Sequence, residues 1–166
     1  MWLIYYQVTY LGVFLAKITV KLDGLKQDLK KFQRATGKAL ARELPNIIRK
    51  EIEGGRSPVK GFGRFERYSQ SYSDAIKAGR YDGKRTRPVN LKLTGEMLSK
   101  IKGVPLSNGM RLKFDDPLWD IHNDKGAGKS KTVRRLIPTN EGEEFNLSIQ
   151  RDVREILNRI ARNIFR

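Results

Sequence analysis

An α+β fold is predicted: a small antiparallel sheet packed by a long N-terminal helix and a C-terminal amphipathic helix, with a long basic loop. Three observations predict it. Apolar residues recur at helical spacing between Leu25 and Ile52, and again between Phe145 and Ile164. Short stretches between them, such as Lys17–Leu22 and Met110–Phe114, alternate polar and apolar residues with the period of a half-buried strand. The intervening residues 56–90 have neither period and are rich in Gly, Ser, Arg and Lys.

In chain order, residues 1–16 carry no charge and include Trp2, Tyr5, Tyr6, Tyr10 and Phe14. Their aromatic and β-branched content favours an extended strand or interface arm; an extension outside the domain and a membrane-related segment are the competing readings. The stretch lacks the basic start and cleavage site of a secretory signal, and it is shorter than the ~20 apolar residues of a spanning helix. Lys17–Leu22 then reads as a strand with Ile18, Val20 and Leu22 on one face. From Leu25 the apolar positions Leu29, Phe32, Leu40, Leu44, Ile47, Ile48 and Ile52 describe a long amphipathic helix. Pro45 should kink or divide it, and Gly54-Gly55 should stop it.

Residues 56–90 form a long basic loop with one short helix, and a loop of that length inside a compact domain is usually functional. Beyond Pro88 an extended approach leads to a short helix over Thr94–Ile101. Met110–Phe114 and Leu118–His122 are expected to pair as a hairpin across Asp115-Asp116-Pro117, a turn sequence. Lys125–Lys131 is a Gly/Lys loop, and Thr132–Ile137 is a further strand ending at Pro138. The last helix is expected to start at Asn140, with Glu143 completing a capping box, and to carry the stripe Phe145, Ile149, Val153, Ile156, Ile160 and Ile164. All 166 residues constitute one domain, with residues 1–16 as an arm on a core of residues 17–166.

The formal net charge is +16. It is concentrated in residues 61–135, which hold 17 Lys/Arg against 8 Asp/Glu, whereas residues 136–166 balance at 5 and 5. Such clustering suits a polyanion or an acidic protein surface. There is no cysteine and one histidine, so disulfides and zinc clusters are excluded and no metal or other cofactor is expected. Segment Asn123–Ser130 ends in Gly128-Lys129-Ser130 like a phosphate-binding loop. Asn123 stands where that motif's first glycine belongs, however, and Pro138 interrupts the chain where a long helix should run. A flexible basic loop is the better reading. His122 has neither an evident nucleophile nor an orienting acid, and no hydrolase, zincin or dinucleotide signature occurs, so no catalytic residue is assigned. The aromatic and basic residues of the loop either stack bases and meet phosphates or anchor the loop and contact protein, the second being favoured.

The order of these segments resembles the phage virion-morphogenesis family of tail-completion and head-tail connector proteins. Gly63-Arg64-Phe65 and Leu93-Thr94-Gly95-Glu96-Met97-Leu98 resemble the stretch that follows the helix in that family. His122 before Gly126 and Gly128 resembles its histidine strand and glycine loop, and Arg135-Leu136-Ile137-Pro138 resembles the segment before its last helix. Residues after His122 differ from the family pattern, Pro138 follows the apolar pair instead of preceding it, and residues 1–16 lie outside it. The resemblance implies a non-enzymatic structural subunit of the virion neck or tail region, assembled in the host cytoplasm. It implies a homo-oligomeric ring, a hexamer or dodecamer, that contacts neck, adaptor, portal or tail-tube proteins, with possible contact to genomic DNA in the channel and none to membrane. The alternative is a small basic nucleic-acid-binding protein. Interface candidates are Trp2, Tyr5, Tyr6 and Tyr10 in the arm, and Phe62, Arg64, Phe65, Arg67, Tyr68, Tyr72, Lys84, Arg85 and Arg87 in the basic loop. His122, Lys129, Lys131, Arg134 and Arg135 complete the set.

Overall fold

A computed structural model describes residues 12–91, 95–128 and 131–165, with side chains described from residue 24 onward. The expected strand at Lys17–Leu22 is helical instead, as is the end of the expected arm: α1 runs unbroken over Gly12–Glu53. Among the described residues the sheet has two strands and neither pairs with residues 17–22, where a helix satisfies the backbone amide groups internally. The remaining arm residues, Trp2, Tyr5, Tyr6 and Tyr10 among them, lie outside the described residues.

Pro45 lies inside α1 and does not divide it. It removes the N–H that would bond the carbonyl of Ala41 four residues earlier. Strand β1 (Ile101–Leu106) closes on that same carbonyl at Gly103, where an added Cβ would stand 2.0 Å from Ala41 O. A second glycine, Gly37 of α1, gives equal access to strand β2 (Gly109–Phe114), since its Cβ would meet Gly109 O at 2.2 Å. The strands pair antiparallel from Ile101 opposite Phe114 to Leu106 opposite Gly109. The hairpin thus turns at Ser107-Asn108, and the expected pairing of Met110–Phe114 with Leu118–His122 does not occur. Asp116 caps Leu118 instead, accepting its N–H at 2.9 Å, and the chain coils through helical turn α4 (Leu118–Asp120) into one turn of π-helix at Ile121–Lys125.

Helix α2 (Gln70–Lys77) is the short helix expected within the basic loop. Helix α3 covers Glu96–Ser99, shorter than expected because Ile101 belongs to β1. The end of α3 and the start of β1 are tied to α1 by Arg49, which donates to Leu98 O (2.8 Å) and Ile101 O (2.6 Å). Thr132–Ile137 forms no strand beyond an isolated bridge between Ala127 and Thr132. Helix α5 (Leu147–Ile164) starts at Asn146, whose Oδ1 accepts from Ile149 N at 3.0 Å, so Asn140 is not its cap. The Asn140–Glu143 pair does form, with the carboxylate accepting from the N–H groups of Thr139 (2.9 Å) and Asn140 (3.2 Å), but it closes a turn that precedes the helix.

The core joins Leu44, Ile48 and Ile52 of α1, Met97 and Leu98 of α3, Ile101, Trp119, Leu136 and Ile149. Among the described residues no helix is long and apolar enough to cross a membrane, and no group of His, Cys, Asp and Glu is placed to hold a metal ion.

Candidate functional site

The basic loop is stapled at its start. Ser57 Oγ donates to Arg135 O at 2.6 Å, Asn146 N donates to Pro58 O at 2.7 Å, and Lys60 N donates to Glu144 O at 2.9 Å. Held there, residues 65–84 fold over the π turn and the extended segment that carries Arg134. Five sequence-distant candidates meet as a result: Tyr68, Tyr72, Lys84, His122 and Arg134.

The cluster is built on rings. Tyr68 and Tyr72 stack edge to face with centroids 5.1 Å apart, and Tyr81 lies 5.0 Å beyond Tyr72. Lys84 Nζ stands 5.6 Å from the Tyr68 ring and 5.5 Å from that of Tyr72, while the Arg134 guanidinium stands 5.4 Å from Tyr68. Arg134 is only 6% exposed, although arginine is rarely buried without a counter-ion. Its Nε has no hydrogen-bond partner, and its side chain reaches only the Glu66 carbonyl, at 3.5 Å. Neither Arg134 nor Lys84 forms an ion pair among the described residues.

Titration follows from this geometry. Burial, and then the positive Arg134 beside it, lowers the pKa of Lys84. Burial likewise lowers that of Arg134, against the opposing pull of Tyr68 and Glu66. His122 is lowered to about 4 by burial and by both cations, so its imidazole is neutral at pH 7, and its buried Nδ1 has no partner. Tyr68 is pushed up to about 12, chiefly by burial. The site is a half-buried pair of cations over aromatic rings, with a neutral imidazole beneath. It can attract an anion; it contains no activated nucleophile.

The other candidates lie apart. Arg135 sits over the Phe62 ring at 5.8 Å and pairs with Asp124 and Glu143, which commits it to structure. Phe65 packs against the core. Arg64, Arg67, Arg85, Arg87 and Lys131 are exposed, and Lys129 lies outside the described residues. No helix follows the glycine loop: Ala127 and Thr132 exchange backbone hydrogen bonds of 2.9 and 3.2 Å, and the chain turns straight back. The helix N-terminus that a phosphate loop requires is therefore missing.

Two residues outside the candidate set position the site. Asn123, 1% exposed, accepts from Leu136 N (2.8 Å) and Ile137 N (3.1 Å), fixing the π turn beside the segment that bears Arg134. Tyr81, noted only as an aromatic of the loop, extends the ring stack. The run of tyrosines was visible in the sequence; the role of Asn123 had no local signal.

No protein family, curated protein or solved structure matches this chain.

Proposed function

We propose that this chain is a structural subunit of the head-tail connector or neck of a tailed phage, one that completes the tail and joins it to the head as a ring of identical subunits. The observation that carries the reading is the length of α1 together with the apolar side chains it exposes before Phe32. The helix has 42 residues and is about 63 Å long at 1.5 Å per residue, longer than the roughly 30 to 40 Å expected across a compact domain of this size. Among the described side chains its first tertiary ring contact is Phe32 against Phe165, with centroids 5.6 Å apart. Before that point Leu25 and Leu29 are exposed by 49% and 46%, and Gly24 has open space around it. An amphipathic helix that leaves its own domain gains stability by packing on a neighbour.

A ring needs a second, different face on each subunit. A hollow of about 620 Å³ supplies one, lined by Leu112, Phe114, Ile137, Phe145 and Val153 and rimmed by Glu143 and Glu144. Lys30, on the exposed end of α1, has the charge to complement that acidic rim. The order of sequence segments supports the phage setting, and the α+β architecture agrees with what that resemblance implies. Deletion of the gene from the phage should yield normal heads and normal tails that fail to join. Joined, infectious particles from the deletion would overturn the proposal.

A further inference from the structure

We propose that Lys84 and Arg134, on their tyrosine platform, form a socket for one carboxylate group of a protein partner, an aspartate or glutamate side chain. The socket deepens the connector reading, which supplies the acidic neighbour, but its chemistry stands on the geometry alone.

A desolvated charge costs several kcal/mol unless it is paired, and a cation–π contact returns about 0.5–2 kcal/mol. Arg134 is almost wholly buried, Lys84 is half-buried beside it, and two like charges held together repel. The fold nevertheless spends three tyrosines and the Asn123-braced segment on keeping them there. Among the described residues Glu66 is the acid that acts on Arg134: its exposed carboxylate does so without forming an ion pair, and its carbonyl takes the 3.5 Å hydrogen bond. A carboxylate docking on the cluster would meet the half-buried ammonium of Lys84, with the buried guanidinium of Arg134 adding its charge from behind.

The same geometry disfavours a nucleic acid. Binding of single strands uses open aromatic faces for base stacking. Here Tyr68 has both cations against its ring, and Tyr72 is taken by Lys84, Tyr68 and Tyr81. Arg134, 6% exposed, is too deep for a phosphate backbone to approach along its length, which leaves Lys84 as the cation that an incoming group reaches first.

The test is an NMR titration of the folded protein, following the His122 imidazole and the Tyr68 ring. The probes are glutamate blocked at both ends, inorganic phosphate and a short DNA duplex. Blocked glutamate should shift both signals saturably and raise the His122 pKa, because a bound anion offsets the charge of Arg134 and Lys84. Lys84→Gln should weaken binding by about tenfold, equivalent to ~1.4 kcal/mol, and Arg67→Gln, at an exposed position, should leave it unchanged. If Lys84→Gln unfolds, Lys84→Met keeps the apolar stem and removes the charge. Saturation by phosphate or DNA without any by glutamate overturns the carboxylate assignment, and no response to any probe overturns the socket. Failure here leaves the particle-assembly outcome of the gene deletion untouched, so the two proposals fail separately.

Discussion

His122 shows how burial next to cations changes what a residue does. The unfolded chain takes up a proton on this imidazole near pH 6.5, but the folded chain does so only near 4. Between those values the unfolded state binds more protons, so stability falls as pH is lowered through the window and this loss is complete below about 4. A shift of that size corresponds to roughly 3 kcal/mol. Urea unfolding at a series of pH values should show this slope in the native sequence, and His122→Leu should flatten it between pH 6.5 and 4.5. An unchanged slope in the variant would show that the imidazole is not the group responsible. Carboxylates add a further fall at lower pH, among them Glu43 and Glu51, whose pKa values are held down by hydrogen bonds from Arg159 and Arg56 respectively. Asn123 makes a second residue-scale case. Asn123→Ala leaves the N–H groups of Leu136 and Ile137 without acceptors, at about 1–3 kcal/mol for each buried orphan. Thermal unfolding should show a large drop in Tm, together with loss of the ordered Tyr68 ring signals as the Arg134 segment is released.

At the scale of elements, the joint between α1 and the hairpin rests on two glycines and one proline. Gly103→Ala forces a methyl group into the Ala41 carbonyl, and Gly37→Ala does the same against Gly109 O. Both neighbours are backbone and cannot swing away, so each substitution should cost at least about 3 kcal/mol, at the top of the usual range for overpacking. Gly24→Ala is the counterpart: the residue is helical with nothing within 4 Å, so the methyl group should stabilise by about 0.5–1 kcal/mol through helix propensity. Chemical denaturation of the three variants checks both signs together. The hairpin was legible in the sequence at Ser107-Asn108-Gly109, a turn sequence directly before Met110. Alternation in Leu118–His122 drew the pairing to the wrong side, because a five-residue pattern does not register that Asp116 will cap Leu118 and start a helical turn. The last helix was legible in its stripe and displaced only in its cap. Asn140 and Asn146 both lie near the start of the stripe, and it is the contact of Asn146 with Glu51 and Ser57 O that selects the second.

For the whole molecule, the charge of +16 sets the behaviour in solution. Much of it lies on exposed side chains such as Arg64, Arg67, Arg85 and Arg87, so the protein should bind duplex DNA non-specifically at low salt. Filter binding across a salt series should show affinity falling steeply and lost near physiological ionic strength. Binding that persists there with a shallow slope would favour the nucleic-acid-binding alternative over the connector. Among the candidate residues, the tyrosines and cations of the cluster were identifiable one by one from their unusual density in a loop. That Tyr68, Tyr72 and Lys84 converge with Arg134 depends on a contact between distant segments, whereas Arg135 next door is spent on ion pairs with Asp124 and Glu143.

The sequence by itself determined the α+β class, the two amphipathic helices and the basic character of the middle of the chain. Each of these depends on residue period or composition, which act locally. Only the tertiary structure decided that Lys17–Leu22 is helix, where the hairpin turns, and which cations are buried. Those outcomes follow from the availability of partners: a strand needs a neighbour to bond, and a charge is buried only where distant side chains enclose it.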